Sequence, residues 1–295
     1  MDDKLSMSVE ENIFLAKKLL AESIYNTAKL EGVNTTFPET EAILEGVNVP
    51  GAKLDDIQVI LNLRDAWREL LGSVQTSAID IEFIKKLNYN ISRNESLKWG
   101  VLRDGSVGIA GTSHKPAVPD EEKVKNSINN IISDITISSS EKAIDLMLFI
   151  MHSQLFWDGN KRTANLTANA VLIKNGCGIL SISPDNIVEF NTLLKKYYDT
   201  NIKDELKEFL YSSAITDFNK VNVPVNVTVN VTVNSNEEVV LNILKLNPQF
   251  TYEEIAIQIG KTRKTVSRII ANLKAQGMIK RRGSDKSGEW VVIKN

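Results

Sequence analysis

The feature that most constrains the fold is a segment with helical spacing that is apolar on nearly every side. Residues 141–152 carry Leu, Ile, Met and Phe around the whole helix. A helix of this kind has no polar face to turn toward water, so it belongs at the centre of a helical domain. The apolar run from Ala143 to Met151 contains Asp145 and is much shorter than the roughly 20 residues that a membrane helix needs. The sequence therefore predicts a central buried helix and no membrane span.

Helical periodicity extends over most of the chain on both sides of this segment. Apolar residues recur at helical spacing with polar residues between them, so each segment has one face suited to a core. The predicted helices span residues 8–29, 54–71, 79–87, 121–133 and, after the central one, about 162–174. Gly176 and Gly178 supply the stop for the last of these. The chain up to about Phe218 is predicted to be nearly all helix.

Length and charge divide the chain into parts. At 295 residues it exceeds the usual size of one domain. From Glu237 onward eleven Lys and Arg residues oppose six Asp and Glu residues, whereas the rest of the chain is acidic, which suggests two parts with different partners. The lone Cys177 excludes an internal disulfide and a thiolate metal cluster. Because the Met1-Asp2-Asp3 start lacks the features of a signal peptide, we expect a cytoplasmic protein.

A segment with a period of two lies between the parts. Residues 221–234 largely alternate Val with Asn or Thr, a pattern with strong strand propensity. This segment could pair with a sheet edge, or with its copy in a second molecule to give a homodimer, or it could be an extended connector without function. The predicted domains are N-terminal helices over residues 1–90, a core over 91–218, this linker over 219–236 and a C-terminal module over 237–295.

The loop after the central helix is an anion site by its position. It precedes a helix start, where backbone N–H groups lack intrahelical partners and point outward. Gly159 lets the backbone approach a phosphate, and the Asn160 amide can fix the loop. Lys161 and Arg162 add positive charge that suits phosphoryl oxygens. Asp158 fits as a ligand of Mg²⁺ that bridges the carboxylate and the phosphate. The alternative is a capped helix with an ordinary surface loop.

The C-terminal module has the spacing of a helix-turn-helix. Residues 239–246 form an apolar helix, Thr251 opens a second one, and a third runs over about 262–275 before a basic ribbon. The outward side chains of the third helix include Arg263, Lys264, Ser267 and Arg268. The module resembles a winged helix-turn-helix, in which the third helix enters the major groove of duplex DNA and the wing contacts phosphate. Winged helices also serve as protein-binding or dimerisation modules.

The loop after the central helix resembles the motif of the Fic family. In that family the motif reads His-Pro-Phe-x-(Asp/Glu)-Gly-Asn-(Gly/Lys)-Arg-x-x-Arg. The residues that match it in register are Phe156, Asp158, Gly159, Asn160 and Arg162. The resemblance implies a domain that moves a nucleotidyl group, AMP from ATP with Mg²⁺, onto a hydroxyl of an unidentified target protein. Arg162 would then serve both catalysis and phosphate binding.

Two other segments resemble elements of the same family. Residues 27–32, Thr-Ala-Lys-Leu-Glu-Gly, are similar to the inhibitory helix that some members carry before the core, which makes Glu31 a regulatory candidate. Strand-like residues on both sides of Asp104-Gly105 predict a β-hairpin at residues 103–111. This hairpin resembles the family's flap, which aligns the target segment by strand pairing. The expected fold class is mainly α, an all-helical Fic domain with a small β-hairpin flap, plus a C-terminal winged helix-turn-helix.

The position of the family's general base departs from the motif. Where the family has a His that takes the proton from the target hydroxyl, this chain has Gln154. An amide cannot accept a proton near neutral pH, and general-base catalysis typically supplies about 10²–10⁴-fold, so ordinary transfer should be severely impaired. His152 lies two residues earlier, roughly 200° around the helix, and can replace the base only if the helix ends or bulges there. Otherwise His152 is a hydrogen-bonded imidazole of the core or surface.

A second departure concerns the inhibitory helix. The last Arg of the motif is Asn165 here, and in members with an inhibitory helix the Glu pairs with that Arg. Glu31 therefore loses its family role unless Lys161 or Arg162 replaces the partner. Lys161 itself stands where many members have Gly, a variant found in Doc-like members, which the resemblance links to phosphoryl transfer but which keep the His.

The sequence leaves two functions open. In the first, the protein is a Fic-type adenylyltransferase whose activity is reduced or altered because the motif His is Gln154. In the second, it is a non-catalytic regulator, in which the loop senses a nucleotide or another anion and the winged helix acts on DNA or on a protein.

Overall fold

The protein divides into two compact units, Met1–Asn222 and Val223–Asn295. The computed structural model describes residues 1–216, 240–241, 243–244, 248–259, 262–275, 277–282 and 289–293. Each unit has its own cluster of buried apolar side chains. The predicted linker over residues 219–236, with its Val and Asn alternation and the suggested homodimer contact, lies outside the described residues.

The regular secondary structure in the described part of the N-terminal unit is nearly all helix. Its helices are α1 (Val9–Lys18), α2 (Leu20–Leu30), α3 (Phe37–Leu44), α4 (Leu54–Ser73), α5 (Ile81–Ile91), α6 (Glu121–Ser133), α7 (Ser139–Ser153), α8 (Asn160–Lys174), α9 (Ile187–Thr200) and α10 (Asp204–Phe209). Two short strands, β1 (Ile179–Leu180) and β2 (Ile215–Thr216), pair antiparallel. The predicted mainly helical fold class is confirmed.

Helix α7 is the central helix that the sequence predicts. Its residues from Ala143 to Met151 are buried, apart from the partly exposed Asp145 and Phe149. Helix α8 packs beside it and is buried from Asn160 to Ile173, with Lys161 as the partly exposed exception. A fully buried aliphatic side chain contributes about 1.5–3 kcal/mol, so this helix pair is the scaffold that holds the loop between its two members.

Helix boundaries differ from the prediction at the N-terminus. The predicted helix over residues 8–29 is two helices, because Leu19 (φ −95°, ψ 9°) leaves the helical conformation between α1 and α2. Ser8 and Glu11 form a capping box that starts α1. Helix α3 has only eight residues and was not predicted, although Thr36 and Glu39 form its capping box.

The predicted β-hairpin at residues 103–111 is wrong. Residues 101–119 form no strand. They form a loop, and we call residues 103–117 of this loop the flap. The Arg103 backbone N–H donates to the Leu155 carbonyl (3.0 Å) instead of to the other arm of a hairpin. The Arg103 side chain is 1% exposed. The flap is therefore hydrogen-bonded to the end of α7, and these bonds replace the hairpin pairing that the turn signal at Asp104-Gly105 predicts.

The described part of the C-terminal unit has the predicted winged helix-turn-helix form. Helices α11 (Tyr252–Ile259) and α12 (Arg263–Ala275) precede an antiparallel pair, β3 (Ile279–Arg282) and β4 (Glu289–Val292). The described residues of the predicted first helix, 240, 241, 243 and 244, are helical. The inner face of α12 is buried as predicted, at Val266, Ile269, Ile270 and Leu273.

Across the described residues, no helix combines the length and apolar character required to cross a bilayer.

Candidate functional site

The loop between α7 and α8 presents an open helix N-terminus. Gly159 precedes α8 with φ +71°, and no side chain in the described part of the chain caps that end. A β-carbon on Gly159 would lie 2.3 Å from Ser92 Oγ and 2.8 Å from Ile91 Cγ2, so only glycine fits. The first backbone N–H groups of α8 therefore lack a side-chain partner and suit an anion.

Side-chain amides fix the shape of this loop. The Phe156 N–H donates to Asn160 Oδ1 (2.9 Å), and Asn160 Nδ2 donates to the Phe156 carbonyl (2.8 Å). From the other side, Asn88 Nδ2 and Ser92 Oγ each donate to the Asp158 carbonyl at 3.0 Å. The helix N-terminus is thus preorganised by α5 and by the loop's own amide.

The loop forms the floor of a cleft of about 700 Å³, a size typical of small-molecule sites. Six of the predicted site residues line it together: Glu31, Gln154, Asp158, Gly159, Asn160 and Lys161. The flap supplies one wall with residues 107–110 and Thr112, and α9 supplies another with Asn191, Leu194, Lys195 and Tyr198. Trp157 completes the lining.

Lys161 connects α8 to the end of α2. Its ammonium donates to the Leu30 carbonyl (3.1 Å) and lies 3.6 Å from Glu31 Oε1. Both side chains are partly buried, with exposures of 31% for Lys161 and 20% for Glu31. Of the two replacement partners that the sequence left open for Glu31, the structure selects Lys161.

Arg162 is buried between α8 and α5. Its side chain is 3% exposed, and Nη1 donates to Glu95 Oε2 (2.8 Å) and to the Ile91 carbonyl (3.2 Å). One residue along a helix turns the side chain by roughly 100°, which directs Arg162 toward α5 while Lys161 lines the cleft. Its Nη2 also lies 3.9 Å from Asp158 Oδ1. The role of Arg162 in catalysis and phosphate binding stays a prediction.

Gln154 occupies the position of the family's base and faces the cleft. It follows α7 in the left-handed conformation (φ 45°, ψ 62°). Its Oε1 accepts from Asn160 Nδ2 (3.2 Å), and its Nε2 donates to the Met151 carbonyl (2.7 Å) and lies 3.5 Å from the Tyr198 hydroxyl. The amide is held in place on both sides, in a position that would otherwise suit an imidazole.

His152 faces a different cavity of about 350 Å³, which shares no lining residue with the cleft. Its ring lies 4.0 Å from that of His114 and 4.7 Å from that of Tyr197, measured between centroids. Burial, with a smaller contribution from His114, lowers the pKa of His152 to about 4. Its Nε2 is buried without a hydrogen-bond partner among the described residues. The imidazole is therefore neutral near pH 7 and packs against aromatic rings.

Asn165 and Asp158 complete the set of predicted residues. Asn165 is 2% exposed and its Oδ1 lies 3.5 Å from the Thr27 hydroxyl oxygen, so it contacts α2 without offering a charge to Glu31. The Asp158 side chain is 53% exposed, and its Oδ1 accepts from the Gly159 N–H (2.6 Å). A half-exposed carboxylate at the mouth of an anion site remains available to a cation.

Sequence reasoning missed the residues that support the loop from behind. Asn88, Ser92 and Glu95 lie on α5 or just after it, and each contacts the loop or Arg162. Asn88 is fully buried on the apolar face of an amphipathic helix. That misplaced polar residue was the available signal, because a buried amide needs hydrogen-bond partners.

The predicted DNA-contacting residues lie together on α12. Arg263, Lys264, Ser267 and Arg268 are exposed and form one shallow surface with Tyr252 and Ala271. Arg263 Nε lies 2.5 Å from Glu253 Oε1 in an exposed ion pair. In the adjoining ribbon Arg281 and Arg282 belong to β3, whereas Lys286 lies outside the described residues.

Two known families match separate segments of the chain. Residues 78–172 match the Fic/DOC family, and residues 235–295 match the Crp-like helix-turn-helix domain. The protein adenylyltransferase fic-1 of Caenorhabditis elegans is 27% identical over 162 residues, which cover 52% of this chain and 32% of that protein. The protein adenylyltransferase Fic of Nematostella vectensis is 27% identical over 172 residues, covering 54% and 39% respectively. The chain spans about a third of the length of these curated relatives.

Solved structures share the fold. A Fic domain containing signaling protein from Bacteroides thetaiotaomicron superposes with a TM-score of 0.58 at 21% identity, over 70% of this chain and 85% of that chain. A Fic family protein from Desulfovibrio desulfuricans superposes with a TM-score of 0.55 at 13% identity, over 100% and 99%. At such identities the likeness shows the fold alone, and it is the fold that the motif predicted.

Proposed function

We propose, for a chain that carries a Fic domain followed by a Crp-like helix-turn-helix domain, that it transfers AMP from ATP to a hydroxyl of a target protein at a rate limited by Gln154. The observation that carries this proposal is the meeting of three parts at one cleft. These are the open N-terminus of α8, residues 107–110 of the flap, and Gln154 in the position of the motif base.

Phosphate binding rests on backbone and charge together. The N–H groups at the start of α8 point at the cleft with the positive end of the helix dipole behind them. Lys161 adds an ammonium at the same end, and Gly159 leaves the backbone uncovered for close approach. Asn160, Asn88 and Ser92 hold this surface rigid, so little ordering remains to be done when a triphosphate binds.

The residues also fit a nucleotide-bound Mg²⁺. Among the described residues no group of three or more His, Cys, Asp or Glu side chains could hold a metal, and Mg²⁺ at such sites is commonly held by one or two carboxylates plus substrate phosphates. Asp158, half exposed beside the helix N-terminus, is the carboxylate that would hold it. A bound Mg²⁺ would neutralise charge on the leaving pyrophosphate.

The transfer step forms a bond between the target hydroxyl oxygen and the α-phosphorus of ATP while the bond to pyrophosphate breaks. The hydroxyl proton must leave, and Gln154 cannot take it because an amide is not a base near pH 7. In the described cleft Gln154 instead holds its place through Asn160 and Met151. The proton is then left to water, and we expect slow transfer.

Regulation follows from the Lys161–Glu31 contact. The ammonium that would meet a terminal phosphate is engaged by Glu31 and by the Leu30 carbonyl. Nucleotide must therefore compete with the end of α2 for Lys161. In this role Glu31 restrains binding through a lysine of the motif, and it does not need the arginine that Asn165 has replaced.

A second candidate function is favoured by the exposed basic surface of α12. Arg263, Lys264 and Arg268 lie on the helix that a helix-turn-helix places in the major groove. With Gln154 in place of a base, the cleft would then sense a nucleotide without turning it over, and the C-terminal unit would bind duplex DNA. Nucleotide-dependent DNA binding without transfer would be its signature.

The direct test of the first proposal uses ATP labelled at the α-phosphate, with Mg²⁺ and a cell lysate as the source of targets. We expect faint labelling by the wild type and an increase of about 10²–10⁴-fold in Gln154→His, since that substitution supplies a base. The matched control is His152→Ala, which changes a histidine outside the cleft and should leave labelling unchanged. No labelling in any variant, Gln154→His included, would contradict the proposal and favour the sensor.

A further inference from the structure

Arg103 is a buried arginine bound only by carbonyl oxygens in the described part of the chain. It is 1% exposed, and its guanidinium donates to five main-chain oxygens at distances from 2.5 to 3.4 Å. The acceptors are the carbonyls of Gly105, Pro116, Ala117, Ser153 and Gln154. A buried charge is costly unless its donors are satisfied, so this arrangement ties the surrounding chain tightly to one side chain.

The five carbonyls belong to two segments of the chain, the flap and the end of α7. Gly105 lies at the start of the flap, and Pro116 and Ala117 lie at its end, so one guanidinium closes the flap into a loop. Ser153 is the last residue of α7, and Gln154 is its C-cap. At a helix C-terminus the carbonyls lack intrahelical donors and carry partial negative charge, which a cation satisfies.

The contact to Gln154 bears on the reacting end of the cleft. Arg103 Nε donates to the Gln154 carbonyl (2.5 Å), and Gln154 adopts the left-handed conformation that residues other than glycine rarely take. Such a conformation persists only where surrounding contacts determine it. Arg103 provides such a contact on the main chain, and Asn160 and Met151 provide them on the side chain.

We propose that Arg103 is the positioning residue of the cleft, whose guanidinium sets the flap and the Gln154 position in one fixed relation. The inference rests on the proposed function, because the flap and Gln154 matter together only if a target hydroxyl must meet both. Arg103 contacts neither the nucleotide nor the target, and it acts through the carbonyls to which it donates. Its loss frees both segments at once while leaving the N-terminus of α8 intact.

The contact between Gly105 and Trp157 gives a local reporter of this relation. A β-carbon on Gly105 would lie 2.6 Å from Trp157 Cη2, so the indole packs directly on the flap backbone. Arg103 binds the carbonyl of the same glycine (2.6 Å). Separation of the flap from the loop that carries Trp157 would expose the indole to water and change its fluorescence. The fluorescence of the other tryptophans is measured in Trp157→Phe variants and subtracted.

The test is amide hydrogen exchange on the whole protein without nucleotide, comparing wild type with Arg103→Ala and Arg103→Lys. We expect the hydrogen-bonded amides of both segments, at residues 103, 112 and 113 of the flap and at residues 154 and 156, to exchange about 10- to 100-fold faster in Arg103→Ala. The reason is that the charge-assisted hydrogen bonds that hold these segments together are lost. Amides inside α4 should keep their rates. Arg103→Lys should fall between, since an ammonium has three donors on one atom and cannot span the five carbonyls.

Chemical rescue separates positioning from general stability. Millimolar methylguanidinium should slow exchange in the flap of Arg103→Ala toward wild type and restore the Trp157 fluorescence. It should do nothing to the matched control Arg68→Ala, which removes an arginine that is 66% exposed. If Arg103→Ala does not fold, the Arg103→Lys comparison carries the test by itself.

Two results would overturn the inference. One is acceleration by the same factor in α4 and in the flap, and the other is unchanged exchange in the flap. A KM and kcat comparison in the Gln154→His background adds an independent readout, in which Arg103→Lys lowers kcat with little change in KM for ATP. If that background shows no transfer, the proposed function is wrong while the exchange result still stands.

Discussion

Replacing Glu31 by Gln tests whether nucleotide competes with α2 for Lys161. The substitution removes the carboxylate charge 3.6 Å from the Lys161 ammonium and keeps the shape of the side chain. Lys161 retains its hydrogen bond to the Leu30 carbonyl, so the end of α2 stays in place. We expect the free ammonium to bind a terminal phosphate more readily, and the affinity for ATP with Mg²⁺ to rise.

The magnitude follows from the exposure of the pair. The side chains are 31% and 20% exposed, and the charged atoms lie 3.6 Å apart without a hydrogen bond between them. We therefore assign the pair about 0.2–1 kcal/mol, the range of weak ion pairs. The upper value corresponds to a factor of about 5 in Kd. Repulsion between Glu31 and the phosphate oxygens acts in the same direction, so the predicted tightening is about two- to fivefold.

Isothermal titration with ATP and with adenosine measures this competition. Adenosine carries no phosphate, so its affinity should not change in Glu31→Gln. The charge-matched control is Glu41→Gln, an exposed residue of α3 that does not line the cleft. In a Lys161→Met background the effect of Glu31→Gln should shrink to the repulsion alone. Unchanged or weaker ATP binding in Glu31→Gln would refute the competition.

Three further predictions concern the loop, the buried histidine and the C-terminal unit. In a urea titration, Gly159→Ala should lower the free energy of unfolding by about 2–4 kcal/mol, because the alanine adds backbone strain and overpacks the site. The control Gly72→Ala lies in α4 with open space around it, and it should be neutral or stabilising. Burial lowers the pKa of His152 from 6.5 to about 4, so its contribution to stability should be complete above pH 6.5 and should fall as the pH drops toward 4. His152→Leu should flatten that part of the pH profile of the urea midpoint. An unchanged profile would count against the burial of His152 as the cause. Arg263→Ala combined with Arg268→Ala should weaken binding to duplex DNA and reduce the salt slope by about 2 if both contact phosphate, and equal binding by the double variant would remove α12 as the contact surface.

The helical framework could be predicted from periodicity because it depends on local pattern. Helix α6 begins and ends where the sequence analysis placed it, and the all-round apolar segment is the central helix α7. The loop before α8 could be located for the same reason, since glycine before a helix start is a local signal. Fold and loop together were enough to indicate the Fic domain.

Contacts distant in sequence could not be predicted. The hairpin failed because Arg103 binds carbonyls up to 51 residues away, which no turn rule detects. The burial of the Arg162 side chain could not be predicted because its carboxylate partner, Glu95, lies 67 residues earlier in the chain. The Lys161–Glu31 pair joins residues 130 apart in the chain, so sequence could only name the alternatives.

In the proposed function, the phosphates of a nucleotide bind at the N-terminus of α8. Amide chemical shifts recorded while ATP and Mg²⁺ are added show where the nucleotide binds. We expect large shifts for the amides of Gly159, Asn160 and Lys161, with little change around His114 and His152 in the other cavity. Saturable shifts around His114 and His152, with none at residues 159–161, would contradict it.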